Sequence, residues 1–332
     1  MDRVSRLTLG HGSGGRLSGD LAARIARIFA SGGPPQEMED CALLPEGWGV
    51  TLDGFTVTPR TFPGGNLGKL AVCGAVNDLA VRGVRPRYLC LGVIAEEGFS
   101  EEELMGHMAS AAEVCAELHL RLVAGDTKVV PRGAADGLFL TTCAWGTPQR
   151  PDALGMTRLR PGDVLLLTGA PGRHGAAIAA ARYNFAVPEL ESDCAPLVAL
   201  LEPLYDLPGL RCMRDCTRGG VGTALGEWAE GGGVGLEIRE VDLPRSPEVE
   251  DVAQLLGLDP LYLACEGTAV VAVAPEDAPE ALARLRRSLR GGASAPIGVV
   301  TDRHPRWVGL RTRAGGTRVV DLPVGELLPR IC

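Results

Sequence analysis

Four aspartates in the first half of the chain have the residue type and the spacing of a metal site. They are Asp40, Asp53, Asp78 and Asp126. Asp78 is the most informative, because it follows Asn77 within an apolar helical segment, where Asp is a poor helix former and a buried charge needs a partner. Mg²⁺ binds carboxylate and phosphate oxygens. The four aspartates therefore predict a magnesium–nucleotide site, although any one of them taken singly is better explained as a cap or a turn.

Two loops of small residues have the composition of phosphate-binding loops. Such residues let backbone N–H groups approach an anion closely, and a following helix directs its positive end to the same place. The first loop, "HGSGG", comprises His11, Gly12, Ser13, Gly14 and Gly15, and a helix is predicted from about Leu17. The second lies in "RDCTRGGVG" and contains Asp215, Thr217, Arg218, Gly219 and Gly220. The first loop is equally consistent with an ordinary flexible turn. Lys128 could neutralise a phosphate, or be an ordinary surface lysine.

The last residue of the sequence, Cys332, is a candidate for thiol chemistry. Cysteine is usually buried, whereas chain ends are usually exposed. The segment after Asp321 contains Pro323, Gly325 and Pro329, which favour extended chain. Its residues 322–332 could span up to roughly 35 Å, so Cys332 is predicted to reach a site in its own molecule and another on a partner. A neighbouring terminal carboxylate would raise the pKa of the thiol by like-charge repulsion.

The composition limits the class of protein. A chain of 332 residues, 45% of them apolar, has room for two cores. Its net charge of −8, without a basic stripe, argues against a nucleic-acid-binding protein. No apolar run reaches the roughly 18 residues that span a bilayer, and no signal-peptide pattern is present. We therefore expect a cytoplasmic protein without a membrane segment. The ten cysteines include no CxxC pair, which argues against a zinc site.

Two series of strands and helices are predicted, separated by a turn-rich stretch at 147–163. The first series has strands at 49–57, 87–95 and 137–146 and helices at 66–83 and 100–118. Ser100 is predicted to cap the second of these helices, with Glu103 three residues later. The second series has helices at 172–183, 194–204, 221–230 and 248–256 and strands at 163–169, 234–239, 268–274 and 296–301. The expected fold is a two-domain α+β (α/β) protein with domains at 1–148 and 149–321 and a flexible tail at 322–332.

Seven segments together resemble the HypE family of hydrogenase maturation proteins over nearly the whole chain. They are "HGSGG", "FPGGNLGKLAVCGAVNDLAV", "GDTKVVPRGAADG", "SDCAPL", "RDCTRGGV", "CEGTAV" and the terminal "PRIC". The family belongs to the PurM-like superfamily, which includes aminoimidazole ribonucleotide synthetase. The resemblance implies an N-terminal domain whose sheet forms a barrel across a homodimer, followed by an α+β domain. It also implies ATP bound with Mg²⁺ at the four aspartates, with Asn77 and the two small-residue loops at the nucleotide.

The resemblance implies an activity for Cys332. In the family, a HypF-type carbamoyltransferase loads a carbamoyl group onto the terminal cysteine, and ATP-dependent dehydration converts the S-carboxamide to an S-cyanate. The cyano group then passes to iron held by a HypC–HypD complex, toward the nickel–iron hydrogenase. By resemblance, Glu266 orients or deprotonates the carboxamide, Lys128 neutralises phosphate charge, and Asp78 acts at the magnesium–ATP end. Taken alone, Glu266 would be expected to be structural.

Other synthetases, a kinase and a non-catalytic scaffold are the alternative functions for this sequence. A selenophosphate synthetase is expected to carry cysteine or selenocysteine with lysine in its N-terminal loop, and "GHGSGGRLSGD" has neither. Aminoimidazole-type synthetases and thiamine-monophosphate kinases give no reason for a terminal thiol. A non-catalytic scaffold, whose terminal peptide docks into a partner, would tolerate substitution of the aspartates. ATP hydrolysis that depends on a carbamoylated tail would distinguish an enzyme from the scaffold.

Overall fold

The computed structural model describes residues 6–30, 39–323, 328 and 330–332. The extended tail predicted from Pro323, Gly325 and Pro329 is covered only in part, because Gly325 and Pro329 lie outside the described residues. Within these ranges, no helix combines the length and the apolar character needed to cross a membrane.

The first domain is an open sheet with two of its three described helices packed together on one face. Its helices are α1 (Gly15–Phe29), α2 (Leu67–Val81) and α3 (Glu101–Glu117), and its strands are β1 (Ala42–Leu44), β2 (Trp48–Phe55), β3 (Thr61–Phe62), β4 (Gly65–Asn66), β5 (Val84–Glu96), β6 (Arg121–Val130) and β7 (Leu138–Pro148). The sheet order is β1-β2-β7-β5-β6, and β3 pairs with β4 separately. Only the β5–β6 pair is parallel among the described strands of this sheet. Within the described part of this single chain, the sheet ends at β6 and does not close.

Helix α2 is the central element of the first domain. Its sequence is apolar on nearly all sides, and almost every side chain in it is buried. The Asn66 side chain caps it by accepting a hydrogen bond from the Lys69 N–H at 3.0 Å. A Cβ at Gly68 would lie 1.8 Å from the His107 carbonyl oxygen of α3, so glycine is needed for the close approach of the two helices. The predicted cap of α3 is confirmed, because the Glu103 N–H donates to Ser100 Oγ at 3.2 Å.

The two faces of the first sheet differ in their surroundings. Thr51 and Phe55 of β2 are buried on the face that packs against α2, and alternation places Asp53 on the same face. On the opposite face, Leu52 is 68% exposed and Ile94 is 39% exposed. Strand β6 is exposed along almost its whole length. The sheet therefore carries apolar side chains on an outer face that nothing in this chain covers among the described residues.

The second domain is a sheet of mixed strand directions with helices packed on it. Its helices are α4 (Arg173–Tyr183), α5 (Val198–Leu201), α6 (Gly220–Gly232), α7 (Pro247–Leu256) and α8 (Ala278–Arg287), and its strands are β8 (Val164–Leu167), β9 (Leu210–Asp215), β10 (Gly235–Arg239), β11 (Ala269–Val273), β12 (Ala295–Thr301), β13 (Val308–Arg311) and β14 (Thr317–Val319). The order is β14-β13-β10-β12-β8-β11-β9. Helix α6 packs on β8, β10 and β11 in one core cluster. A second cluster joins α2 of the first domain to β9 and α8, so the two domains share a core.

One predicted helix of the second domain needs correction, and one strand was missed. The helix predicted at 194–204 is reduced to α5 followed by a single 3₁₀ turn, Glu202–Leu204. The residue before Pro196 is disfavoured in helical conformation, and the Ala195 N–H donates instead to the Glu266 carbonyl at 3.2 Å. Strand β9 was not predicted, because its sequence "LRCMRD" mixes charged with apolar residues. This strand delivers Asp215 to the site described next.

Candidate active site

Three aspartates from separate elements converge where the two domains meet. Asp40 precedes β1, Asp78 lies in α2, and Asp215 ends β9. Each contributes a carboxylate oxygen, and the three oxygens lie within 4.8 Å of one another. Thr51 Oγ1 donates to Asp78 Oδ2 at 2.7 Å, and the Asp53 carboxyl is also hydrogen-bonded to Asp78. The structure thus brings Asp40, Asp53 and Asp78 together and adds Asp215, which the sequence had placed with the phosphate loop.

Burial and like charges raise the pKa of three of these carboxyl groups, those of Asp40, Asp78 and Asp215. Burial is the larger cause for Asp78, followed by the charge of Asp53, and burial also raises the pKa of Asp40. The pKa of Asp215 is raised to about 8 by burial and then by Asp40. Arg214 lies 3.4 Å from Asp40, yet the buried Oδ2 atoms of Asp40 and Asp215 have no hydrogen-bond partner among the described residues. Crowded carboxylates with free oxygens fit a hard cation such as Mg²⁺.

In the absence of divalent cations, the free energy of unfolding should fall as the pH rises from about 4 to about 8. The folded-state pKa values of Asp40, Asp78 and Asp215 are raised above their ordinary value of 3.8. In this window the folded protein therefore binds more protons than the unfolded chain, and the free energy of unfolding falls with pH. Saturating Mg²⁺ should restore about 2–3 kcal/mol at pH 8 and much less at pH 5, as measured by thermal unfolding with chelator or with Mg²⁺.

Asp215→Asn is the matched control for this prediction, because it leaves the side chain in place but removes a charge. It should reduce both the loss of stability with pH in chelator and the gain from Mg²⁺. An equal gain from Mg²⁺ at pH 5 and at pH 8 in the natural protein would contradict a cation site built from these carboxyl groups.

Asp126 and Lys128 are not brought to this cluster within one chain. They lie on β6, at 70% and 67% side-chain exposure, and form an ion pair at 2.9 Å. Asp126 is in register with Gly92 of β5, which belongs to the outer face of the sheet. Asp53 of β2 is on the inner face, three strand spacings or about 14 Å away. The roles predicted for Asp126 and Lys128 therefore remain predictions, and they would require a second subunit.

The two small-residue loops meet above a cavity. The Arg218 guanidinium donates to the Gly12 carbonyl at 3.3 Å, and a Cβ at Gly14 would lie 2.9 Å from the Arg218 carbonyl oxygen. Gly219 and Gly220 have φ angles of 79° and 61° where α6 begins, a conformation that favours glycine. The Gly220 N–H donates to the Thr217 carbonyl at 2.9 Å.

Some groups of the first loop are already engaged. The Gly14 N–H donates to Ser18 Oγ at 3.0 Å, and Ser13 Oγ donates to the Leu9 carbonyl at 2.8 Å. His11 Nδ1 accepts from the Thr8 N–H at 3.1 Å. Gly15 is buried at the start of α1. Phosphate binding by this loop would therefore draw on other N–H groups, or on Ser13 after rearrangement.

The Cys332 thiol lies in the cavity beneath these loops. The cavity has a volume of about 290 Å³, and Gly12, Ser13, Arg218 and Gly219 line it together with Cys332. The pKa of Cys332 is raised to about 12 by burial, with Arg218 lowering it and Glu266 raising it. The direction agrees with the prediction, but the main cause is burial and not the terminal carboxylate. The described end of the chain is docked in the site.

Glu266 is a buried acid whose charge acts on this thiol. It is 1% exposed, and neither carboxyl oxygen has a hydrogen-bond partner among the described residues. Its pKa is raised well above the ordinary value by burial and then by the charge of Cys194. Asp193 holds the turn that carries it, by accepting from the Glu266 and Gly267 N–H groups at 3.0 and 3.1 Å and from Thr268 Oγ1 at 2.9 Å. The carboxyl group is thus fixed in place but chemically unsatisfied.

Asn77 has a structural role in this chain. Its Nδ2 donates to the Ala195 and Glu266 carbonyls at 3.1 and 3.3 Å, and its Oδ1 accepts from the Leu197 N–H at 2.7 Å. The polar atoms predicted to serve the nucleotide are therefore used to join α2 to two loops of the second domain. Asp193, which was not singled out beforehand, completes this framework; only its place in the quoted segment "SDCAPL" pointed to it.

Comparisons with known proteins agree with this architecture. Profiles described as AIR synthase related protein, N-terminal domain and C-terminal domain match residues 38–147 and 160–307. The chain is 46% identical to a carbamoyl dehydratase HypE from Rhodobacter capsulatus, over 99% of both chains. It is 41% identical to a carbamoyl dehydratase HypE from Escherichia coli, over 99% of this chain and 100% of that one.

Solved structures of HypE proteins are also similar to this chain. Escherichia coli HypE, described as a hydrogenase maturation protein, has a TM-score of 0.83 at 41% identity, covering 95% of this chain and 100% of that one. A HypE in complex with ATP has a TM-score of 0.84 at 36% identity, over 98% and 100%. A HypE–HypF complex has a TM-score of 0.85 at 39% identity, over 91% and 100%. The predicted PurM-like α+β fold is confirmed, and the chain belongs to the HypE family of carbamoyl dehydratases among the AIR synthase related proteins.

Proposed function

We propose that the protein uses ATP to dehydrate an S-carboxamide on Cys332 to an S-cyanate, and that the cyano group serves maturation of nickel–iron hydrogenase. The observation that carries the proposal is the Cys332 thiol in a cavity lined by Arg218, where the charges of Glu266, Asp53 and Asp215 act on the sulfur. The carbamoyl dehydratase names of relatives at 46% and 41% identity support the reaction class. The ATP complex of a relative supports the nucleotide.

The reaction balances with ATP as the only co-substrate. Transfer of the terminal phosphoryl group to the carboxamide oxygen turns a poor leaving group into phosphate. Loss of that phosphate with both N–H protons leaves the S–C≡N group, and the overall products are ADP and phosphate. Phosphoryl transfer depends mainly on positioning and on neutralisation of charge. Proton removal needs a base within hydrogen-bond reach of the nitrogen.

Glu266 has the properties of that base. Burial without partners raises its pKa well above the ordinary value, and a raised pKa makes the carboxylate a stronger proton acceptor. The Asp193 hydrogen bonds keep its backbone fixed. Arg218, which faces the same sulfur, is placed to stabilise negative charge that develops on the carboxamide oxygen. Glu266 thus moves the protons, and Arg218 orients and neutralises the oxygen.

The carboxylate cluster is the proposed cation site. Asp40, Asp53, Asp78 and Asp215 would hold Mg²⁺, which when bound supplies positive charge that neutralises the phosphates of ATP. The small-residue loops at 11–15 and 217–220 lie at the cavity, where ATP would bind. Release of phosphate from ATP by protein that carries the S-carboxamide, and not by unmodified protein, tests this function. No release from the loaded protein would favour a scaffold over an enzyme, and equal release from both forms would show that ATP hydrolysis is not coupled to the carboxamide.

Loading of Cys332 needs a partner on this account. While the tail is docked, the Cys332 thiol has a pKa of about 12 and holds very little thiolate at neutral pH, so it reacts slowly there without help. We propose a HypF-type carbamoyltransferase as the donor, in line with the HypE–HypF complex of a relative, and a HypC–HypD complex as the cyano acceptor. Both exchanges would require the docked tail to leave the cavity.

A homodimer is also proposed, because it would cover the apolar outer face of the first sheet. Leu52 and Ile94 on that face and the whole of β6 are exposed in the single chain. Pairing of two such faces would place Asp126 and Lys128 of one subunit against the other. In this arrangement Lys128 of one subunit would approach the phosphate bound at the site of the other subunit. Within its own chain, Lys128 lies far from the carboxylate cluster.

Mixing two inactive variants should restore activity if Lys128 acts across the dimer. Lys128→Ala and Glu266→Gln homodimers are each expected to be nearly inactive. Exchange of subunits between equal amounts should recover about one quarter of the natural activity, because half of the dimers are mixed and each has one complete site. The measurement is cyanate formation after co-denaturation and refolding of the pair. Refolding each variant alone is the control, and no recovery in the mixture would show that Lys128 acts within its own chain.

A further inference from the structure

The described end of the chain is bound through two successive backbone carbonyl groups. The Arg330 carbonyl accepts from the Thr58 N–H at 3.1 Å and from the Arg182 guanidinium at 3.0 Å. The Ile331 carbonyl accepts from His174 Nε2 at 2.7 Å. Two donors on side chains and one on the backbone therefore hold the two residues that precede Cys332.

His174 is oriented for this contact by its own surroundings. It lies in α4, is 0% exposed, and packs edge-on against Phe62 with ring centroids 5.3 Å apart. Its Nδ1 is 2.7 Å from Ser192 Oγ, which also accepts from the Cys194 N–H at 3.0 Å. A carbonyl can only accept, so the ring proton must be on Nε2. Burial lowers the pKa of His174, so the ring is neutral, and its bare Nδ1 accepts the Ser192 proton.

The side chains of the same two residues are also held. Ile331 is 8% exposed and belongs to the core cluster around α2. The Arg330 guanidinium donates to the Thr56 carbonyl at 3.3 Å and forms an ion pair with Asp136. The groove thus binds an apolar side chain, a guanidinium and two carbonyls, which is more than a chance contact of a chain end would need.

The segment that orients His174 also holds Glu266. Ser192 contacts the histidine, Asp193 accepts the N–H groups of the Glu266 turn, and the Ala195 N–H donates to the Glu266 carbonyl at 3.2 Å. Residues 192–195 therefore connect His174, which binds the tail, to Glu266, which is the proposed base. A shift of the histidine would therefore move the tail that carries Cys332.

We propose that His174, oriented by Ser192, is a positioning residue that binds the Ile331 carbonyl and holds Cys332 facing Glu266. Together with Arg182 and Thr58 it forms a docking groove for the tail. The docking itself is independent of the proposed function, and only its catalytic consequence rests on that function. His174 acts through the backbone of the tail and does not touch the reacting sulfur.

Alkylation of Cys332 by iodoacetamide, followed by peptide mass mapping, tests the docking directly. His174→Phe removes the donor and keeps the ring, and Cys332 should react about tenfold faster, as expected for loss of one buried hydrogen bond. His174→Gln, which can place an amide N–H near the Nε2 position, should restore most of the protection. His107→Phe is the matched control, since His107 is a buried histidine in α3 whose Nε2 lies 3.5 Å from Glu103 Oε1.

Labelling of the buried Cys194 reports the fold in every variant. Natural rates at both Cys332 and Cys194 in His174→Phe would overturn the proposal. If His174→Phe unfolds and Cys194 reacts, Ser192→Ala decides by the same readout, with faster labelling of Cys332 alone expected and an unchanged rate contradicting the proposal.

A kinetic readout separates this inference from the proposed function. In carbamoylated His174→Phe, the rate of dehydration at saturating ATP should fall while the KM for ATP is unchanged, because the histidine positions the tail and not the nucleotide. Failure of the natural protein to dehydrate its carbamoylated Cys332 would defeat the proposed function, and the alkylation result would still decide whether His174 docks the tail.

Discussion

Cys332→Ala should form no S-carboxamide and no S-cyanate at any concentration of ATP or carbamoyl donor. The proposed product is a carbon–sulfur bond at this residue, and alanine has no atom that could replace the sulfur. The Cys332 side chain is half-buried, and replacing it with alanine removes only the sulfur atom from the wall of the cavity. The free energy of unfolding should therefore change by less than about 1.5 kcal/mol. The loss of activity would therefore be complete while the fold persists.

The matched control is Cys115→Ala, a half-buried cysteine in α3, away from the outer face of the first sheet. It should keep the natural yield of modified protein. Intact mass and the loss of modification on the terminal peptide would be compared for the two variants. Carbamoylation of Cys332→Ala at another cysteine, followed by normal cyanate yield, would refute the role given to Cys332.

Glu266→Gln should accept the carbamoyl group and then stall. Glutamine has nearly the same shape but cannot take a proton, so dehydration should slow by on the order of 10²–10⁴-fold, the usual contribution of a general base. Protein carrying the S-carboxamide should accumulate in the presence of ATP. Single-turnover mass spectrometry of loaded protein would measure the rate.

The same substitution should not reduce stability, which distinguishes it from a structural loss. The pKa of Glu266 is raised by burial above its ordinary value of 4.5, so the natural protein loses stability as the pH rises past that value. Glutamine removes this loss, and thermal unfolding at pH 8 should occur at the same or a higher temperature. Glu237→Gln, which breaks an ion pair with Arg303 on the second domain, should leave dehydration unchanged. A large fall in melting temperature with Glu266→Gln would mean that the residue is structural.

The sequence predicted which residue types form the site better than it predicted which of these residues lie next to one another. Asp40, Asp53 and Asp78 are brought together as expected, because two strands and a helix of one domain converge there. Asp215 was expected beside a phosphate, and it joins the carboxylates because strand β9, which the charge pattern hid, pairs with β11 and ends at this point. The position of one strand thus changed the expected role of one aspartate.

Asp126 illustrates a limit that spacing alone cannot overcome. Order along the chain does not give order within a sheet, and β6 is placed at the edge, next to β5 and away from β2. The register of Asp126 with Gly92 also directs the Asp126 side chain to the outer face, opposite the carboxylate cluster. Which strand occupies an edge depends on the pairing of all five strands, and no local pattern in "AGDTKVV" contains that information.

The end of the chain was expected to be extended and flexible, from its prolines and glycine, and to reach a site in its own molecule. The sequence did not show what would hold it there: Ile331 is apolar enough to be buried, and Arg182 and His174 offer donors to successive carbonyls. His174 lies in "GAPGRHG", a segment whose glycines do not match a dinucleotide fingerprint. Its function in docking could be recognised only when the tail and α4 were seen side by side.

The central claim is that the carboxamide on Cys332 loses water in this cavity at the expense of ATP. Intact mass spectrometry of carbamoylated protein, before and after addition of ATP and Mg²⁺, tests it most directly. The account predicts a decrease equal to the mass of one water molecule, located on the peptide that ends in Cys332, with one phosphate released per chain. An unchanged mass of loaded protein while ATP is hydrolysed, or a return to the mass of the unmodified thiol, would contradict it.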